Sequence, residues 1–218
     1  DPSKVHRINH ESANYRINNT IHLSEPSPQR TPVLYQAGTS PRGRQFAAKH
    51  AECVFMSGPS AKIIAPRVSA IREEAAKFGR NPAEILMFNM MTIILGNTEA
   101  EAAAKYADYR SHINPEGALA LMSGWTGIDF SGYELDQQVR HVQNDAGRSA
   151  LDNVTRGDPD RVWTVRDVIE HVGIGGAGPV VVGTPESVAD KIEDWFEKTD
   201  VDGLNVAFAI SPGDFEDI

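Results

Sequence analysis

The segment Gln36-Ala37-Gly38-Thr39-Ser40-Pro41-Arg42-Gly43-Arg44 concentrates residue types that suit an anion. Gly38 permits close backbone approach, the Ser40 hydroxyl can donate to a phosphate oxygen, and Arg42 and Arg44 add two positive charges. An apolar run from Pro32 to Gly38 precedes it and a helical stretch follows, so Ser40 sits at a helix cap with Pro41 at the first helical position. A helix start presents unpaired amides and a partial positive charge. The spacing therefore fits a phosphate seat on Gly38, Thr39 and Ser40, and equally fits an ordinary capped helix with solvated arginines. It is not a Walker loop, which needs Lys followed by Ser or Thr after its last glycine.

Other constellations carry less. Gly173-Ile174-Gly175-Gly176-Ala177-Gly178 matches G-x-G-x-x-G by letter, but it follows a helical stretch and leads into a strand, the reverse of the dinucleotide-binding order, and reads as a hinge or loop. His6 and His10 stand four apart beside Glu11 with no second ligand pair, so no metal site is assigned. His50, His112, His141 and His171 are isolated, and no nucleophile elbow, H-E-x-x-H or C-x-x-C occurs. Cys53, in the apolar run Ala51-Glu52-Cys53-Val54-Phe55-Met56, reads as a buried, inert thiol. Asn18-Asn19-Thr20 and Asn153-Val154-Thr155 fit the glycosylation triplet but lack a secretory context. Trp125, Phe130 and Tyr133 either line an apolar substrate pocket or pack their own segment down. Glu73-Glu74 and Asp194 with Glu197 read as solvated helix faces.

The elements that must position these residues alternate. Residues 1–31 form an irregular, Pro-rich lead-in. Residues 32–110 read as β/α units: a strand over Pro32 to Gly38 buried on both faces, a helix from Pro41, a strand over Cys53 to Met56 and a helix over 61–78. Ile64, Val68, Ile71, Ala75 and Phe78 share one face of that second helix, which Gly79 closes. A continuously apolar strand over Ile85 to Leu95 and a helix capped at Asn97-Thr98 follow. From 111 to 178 the alternation breaks down into an insertion or substrate loop with one helix near 164–172. Residues 179–218 carry a strand at Pro179 to Gly183, a helix capped by Thr184 and started by Pro185, and a last strand over Leu204 to Ile210. Such alternation argues for a parallel α/β architecture, either a barrel or an open doubly wound sheet.

The 218 residues carry 21 Lys and Arg against 30 Asp and Glu, with 40% hydrophobic residues and one Cys. That balance excludes a disulfide-stapled module, a basic nucleic-acid binder and a chain with a membrane-spanning apolar run. The first twenty residues lack the charged and apolar regions of a signal peptide, so the expectation is a cytoplasmic chain.

Four segments then point to a family: DPSKVHRINH at the start, EPSPQRTPVLYQAGTSPRGRQFAAKHAECVF, VGTPESVADKI and DGLNVAFAISPGDFEDI. Together they resemble the bacterial-luciferase-like FMN-dependent monooxygenases, in the group of nitrilotriacetate, dibenzothiophene-sulfone and long-chain alkane monooxygenases. The resemblance implies a TIM (β/α)8 barrel with a long insertion and FMN at the C-terminal ends of the strands. It implies that a separate NAD(P)H:flavin reductase supplies reduced FMN, that O2 is the co-substrate, that an organic compound such as a long-chain alkane or a xenobiotic is oxygenated, and that the full-length protein is a homo-oligomer. Ser40 matches the family's serine on the FMN phosphate, with Gly38 and Thr39 as its backbone neighbours; no catalytic residue carries over. A complete barrel needs about 250 residues. The expectation is therefore a fragment with the later barrel units, the last one truncated and the piece inactive alone. The rival expectation is a non-catalytic, truncated paralogue that associates with a full-length subunit.

Overall fold

A computed structural model describes residues 1–25, 27–141 and 148–218. The chain divides into two compact units, Asp1–Val33 and Leu34–Ile218.

The first unit contains an antiparallel hairpin, β1 (Arg7–Glu11) with β2 (Arg16–Ile21), in which Arg7 pairs with Ile21 and Glu11 with Arg16. The lead-in read as irregular is thus partly sheet. Its strands, RINHE and RINNTI, expose every residue, so the period-2 apolar signal that marks a half-buried strand is missing. Backbone pairing, a turn in which Ser12 N donates to the Tyr15 carbonyl, and the ion pair of Arg16 with Glu11 hold it instead. Pro26, one of the prolines behind the connector reading, lies outside the described residues.

The second unit is a parallel sheet with helices. Its strands are β3 (Tyr35–Gln36), β4 (Cys53–Met56), β5 (Leu86–Leu95), β6 (Val180–Gly183) and β7 (Gly203–Ala207). Its helices are α1 (Pro41–His50), α2 (Ala61–Lys77), α3 (Glu99–Ser111), α4 (Pro115–Thr126), α5 (Arg148–Asn153), α6 (Val165–Gly175), α7 (Pro185–Thr199) and α8 (Gly213–Asp217). Every pairing in this sheet is parallel, with β3 on β4 and β4 on β5. Phe88 and Asn89 pair with both β4 and β7, and Thr92 pairs with both β6 and β7. A residue has one partner per edge, so β4 and β6 follow one another along one edge of β5 while β7 lines the other.

Apolar patterning accounts for the core. Ile64, Val68, Ile71 and Ala75 recur at steps of four and three along α2 and are fully buried with Val54 and Met87. Each buried Ile or Val of that stripe contributes about 1.5 to 3 kcal/mol. Phe78, the expected fifth member, is exposed: it is the residue at which the helix ends, before Gly79 turns the chain at φ +74°. The expected two-face burial of the run Pro32 to Gly38 is also corrected. Only Tyr35–Gln36 pairs, along the one edge that meets β4, so Val33, Leu34 and Tyr35 remain exposed. The last strand ends at Ala207, before the expected Ile210, because the amides of Ala209 and Ile210 turn to the Asp214 carboxylate.

Residues 111–178 are more regular than the sequence suggests. Asn114 caps α4 through Gly117 N at 2.7 Å, Pro115 starts it, and Gly127 ends it in a left-handed conformation. Met122, Phe130, Val139, Leu151, Trp163 and Val168 join a separate apolar core, with Trp125 and Tyr133 packed against it. The aromatic group therefore packs its own segment. The glycine run serves close packing: a Cβ at Gly173 would lie 2.6 Å from Ile113, and one at Gly178 would lie 2.5 Å from the Met90 carbonyl oxygen. Among the described residues, no helix is long and apolar enough to cross a membrane.

Candidate functional site

The C-terminal ends of β3, β4, β5 and β6 each lead into a helix, and the four helix starts differ in what satisfies them. At β3–α1, the Ser40 hydroxyl accepts from Gly43 N at 3.2 Å and the Ser40 carbonyl accepts from Arg44 N at 2.8 Å. The Gln36 side-chain carbonyl holds Gly38 N at 2.7 Å. Gly43 packs so closely on Gly38 that a Cβ would lie 2.6 Å from the Gly38 oxygen. The first turn of α1 carries no acidic residue, and Arg42 and Arg44 stand within it.

At β4–α2, Ser60 occupies the cap position but makes no cap bond, and its buried hydroxyl oxygen has no partner. The first turn of α2 also lacks an acid. Arg67 reaches back to this turn, donating from Nη1 to the Ser57 carbonyl at 3.1 Å and from Nη2 to Asn153 Oδ1 at 2.7 Å. Burial pushes the Arg67 guanidinium below its ordinary pKa; Asp152 opposes that shift, and the positive charge of Arg44 adds to it. Two cations thus repel one another beside adjacent helix starts, an arrangement that an anion relieves.

The other two starts are closed by the chain's own carboxylates. At β5–α3, Thr98 Oγ1 accepts from Glu101 N at 3.1 Å while Glu101 accepts from Asn97 N at 3.0 Å, a reciprocal cap. At β6–α7, Glu99 accepts from Thr184 N at 3.2 Å and from the Ser187 hydroxyl. The Ser187 bond, with the Thr184 amide second, holds the Glu99 carboxyl below its usual range. A Cβ at Gly183 would lie 2.2 Å from Ser187 Oγ, so glycine is required where this clasp closes. Beyond β7, the buried Asp214 accepts from Ala209 N, Ile210 N and the Tyr109 hydroxyl at 2.8 to 2.9 Å and pairs with Lys105 at 3.1 Å, fixing that loop to α3.

Gly38, Thr39 and Ser40 are therefore brought together at the start of α1. Gln36, Gly43, Ser60 and Arg67 join them as residues the sequence reading did not single out. Gly43 had a signal: a glycine in a first helical turn costs about 1 kcal/mol against alanine and needs a reason. Arg67 had none, since its partner Asn153 lies 86 residues away.

The histidines are dispersed. His10 lies opposite Ile17 in the hairpin, His50 stacks on Phe46, His112 neighbours Asp108 and His141 neighbours Asp152. His171 stacks edge-on against Trp163, and burial followed by the Arg161 charge pushes its pKa down to about 4, which keeps the ring neutral. Among the described residues, no group of three or more His, Cys, Asp or Glu is placed to hold a metal ion. Cys53 is buried, as its apolar neighbours require.

The parallel sheet with helices following its strands makes this an α/β protein, with two acid-free helix starts at the same end of the sheet. Residues 5–203 match the family described as luciferase-like monooxygenase, and the chain belongs to that family. It is 46% identical over 217 residues to dimethyl-sulfide monooxygenase of Hyphomicrobium sulfonivorans, covering 100% of this chain and 45% of that protein. Identity to the long-chain alkane monooxygenase of Geobacillus thermodenitrificans is 40% over 217 residues, again 100% of this chain and 45% of the relative. The fold superposes on a crystal structure of a riboflavin lyase with modified FMN and riboflavin, with TM-score 0.78 and 37% identity over 100% of this chain and 47% of that one. The chain spans about half the length of the curated relatives it matches.

Proposed function

We propose that this chain carries the FMN-phosphate seat of a two-component, cytoplasmic flavin monooxygenase that uses O2 to oxygenate an organic substrate, with reduced FMN delivered by a separate NAD(P)H:flavin reductase. The observation that carries this reading is the α1 start, where a serine cap, two arginines and an acid-free first turn coincide. Where the α3 and α7 starts bind the chain's own carboxylates, this one suits a dianionic phosphate monoester.

When bound, reduced FMN supplies the electrons that activate O2. The residues present fit its phosphate. The Ser40 oxygen accepts from Gly43 N, and its O–H is the donor a phosphate oxygen requires. Arg44 and Arg67 supply the positive field, and the Gly38–Gly43 contact fixes the loop before anything binds. The chain's own work is to hold and orient the flavin.

The test is a titration of the chain with FMN, and with riboflavin as the phosphate-free comparison. Ser40→Ala is expected to weaken FMN binding by about 1 to 3 kcal/mol, roughly 5- to 150-fold in Kd, while leaving riboflavin binding unchanged. Equal FMN affinity in the two proteins would overturn the seat.

A further inference from the structure

The hairpin of the first unit buries nothing of its own. Every residue of β1 and β2 is exposed, and among the described residues each strand pairs only with the other, so both outer edges present backbone amides and carbonyls without a strand partner. A two-stranded hairpin is marginally stable by itself, and further strands add to it. The two edges are not equivalent. Ile8 pairs with Thr20 and His10 with Ile17, so Asn18 and Asn19 of β2 stand opposite the single Asn9 of β1. That is a bulge in β2: Asn19 takes φ +57°, its amide donates to Asn9 Oδ1 at 2.8 Å and its carbonyl accepts from Arg7 Nη1 at 3.4 Å. A bulge bends its strand and spoils that edge for pairing. The β1 strand has none of the devices that guard an edge, neither bulge nor proline nor lysine. Its sequence, Arg7-Ile8-Asn9-His10-Glu11, is also self-complementary in charge. Laid antiparallel on a second β1 about a two-fold axis at Asn9, Arg7 comes opposite Glu11 of the second copy at both ends, and Ile8 comes opposite His10. Alternation puts Arg7, Asn9 and Glu11 on one face, where Glu11 already pairs with Arg16 of its own hairpin. Each Glu11 then lies between two arginines, one from each copy. The same operation on β2 sets Arg16 against Ile21 and Ile17 against Thr20, with no charge pair.

We propose that β1 is a self-association edge: two copies of this chain join their hairpins, β1 against β1, into one four-stranded antiparallel sheet. The charge pairs set both direction and register, since an in-register parallel arrangement opposes Arg7 to Arg7 and Glu11 to Glu11. Five residues from each copy make a small contact, under the roughly 1,000 Å² of a stable specific interface, so the hairpin dimer forms reversibly and grows with concentration. The inference does not depend on the phosphate reading, because Ser40 belongs to the other unit.

Sedimentation of the 218-residue chain over a range of concentrations tests this. The wild type is expected to shift from monomer toward dimer as concentration rises, and less so as salt is raised, because the charge pairs are exposed. Arg7→Glu and Glu11→Lys each set like charges opposite one another at both ends, and each variant alone is expected to lose about tenfold or more in dimerisation constant. Mixed in equal amounts, the two variants restore opposite charges at both ends, so the mixture should form a heterodimer where neither variant pairs with itself. That recovery also shows that both variants keep the hairpin. Register is read with single cysteines. Asn9→Cys brings two thiols together across the axis, with Cα atoms about 4.5 to 5.5 Å apart as in any antiparallel pair, whereas His10→Cys faces Ile8. With oxidised glutathione as oxidant, Asn9→Cys should give a disulfide-linked dimer several times faster than His10→Cys, and the native Cys53 is buried. A wild type that stays monomeric throughout, a dimer indifferent to Arg7→Glu, or a mixture no more associated than its components would each overturn the proposal, as would equal crosslinking at the two positions.

Discussion

Two pairs of helix starts at the same end of one sheet are built from similar sequence and finished in opposite ways. Gly38-Thr39-Ser40-Pro41 and Gly183-Thr184-Pro185 both place a hydroxyl cap and a proline after a strand, and both caps form, on Gly43 N and Ser187 N. The difference lies one layer out. Glu99, reaching from α3, takes the Thr184 amide and the Ser187 hydroxyl, and Glu101 closes the start of α3 itself. At α1 and α2 the first turns hold no acid, and the charged groups nearby are Arg44 and Arg67. A helix start with its own carboxylate is a structural joint. One left to arginines has the chemistry of a ligand site, and the motif alone does not distinguish them.

The largest effect on this contrast is expected from Gly43→Ala. The added methyl would sit 2.6 Å from the Gly38 carbonyl oxygen, a backbone atom that cannot swing aside, so the β3–α1 turn must open. Overpacking of this kind costs about 2 to 3 kcal/mol. We expect a matching fall in the urea midpoint with an unchanged m-value, together with loss of FMN binding. A variant with wild-type stability and wild-type FMN affinity would show that the Gly38–Gly43 contact does not shape the seat. Gly124→Ala is the control for glycine substitution within a helix: that residue lies inside α4, and no atom lies within 4 Å of its added Cβ.

How far these distinctions could be read in advance depends on the range of each interaction. Ser40, Thr98, Thr164 and Thr184 cap through amides three residues on, so the local sequence reveals them. The α2 stripe is visible for the same reason, and α4 was also legible, since Asn114, Pro115 and Gly127 are start and stop signals. It was missed because a long stretch without strands reads as loop. The hairpin β1–β2 escaped because neither face of it is apolar. What decides open against closed is of another kind. Glu99 meets Thr184 across 85 residues and Arg67 meets Asn153 across 86, and no local period marks either pair. The family resemblance pointed to Ser40, whereas Arg67, Gly43 and the Glu99 clasp required coordinates.

The closed end gives the second prediction, through pH. Glu99 titrates below the ordinary carboxylate range because the Ser187 hydroxyl and the Thr184 amide favour its charged form. Its folded pKa is depressed relative to the unfolded chain. Its contribution is therefore fully present above about pH 4.3, the unfolded value, and is lost as pH falls through the folded one. Glu99→Gln removes that dependence while leaving an acceptor for the amide. The variant should be less stable than wild type at neutral pH, and the two unfolding curves should converge as the pH is lowered through the acid range. Parallel acid limbs in the two proteins would mean that the carboxylate is not what closes α7.

The smallest change in stability, and the sharpest test of the comparison, is expected from Ser40→Asp. Aspartate caps helices about as well as serine, so the fold should keep its stability to within about 0.5 kcal/mol. The carboxylate would lie at the α1 start near Arg44, where it plays the part that Glu99 plays for α7. An open end is thereby made into a closed one by a single substitution. If the α1 start serves an anion, FMN and inorganic phosphate should both lose affinity to a greater degree than in Ser40→Ala, because repulsion is added to a lost donor. Retained phosphate binding in a stably folded Ser40→Asp protein would place the anion elsewhere and reduce the difference between the two pairs of helix starts to one of packing.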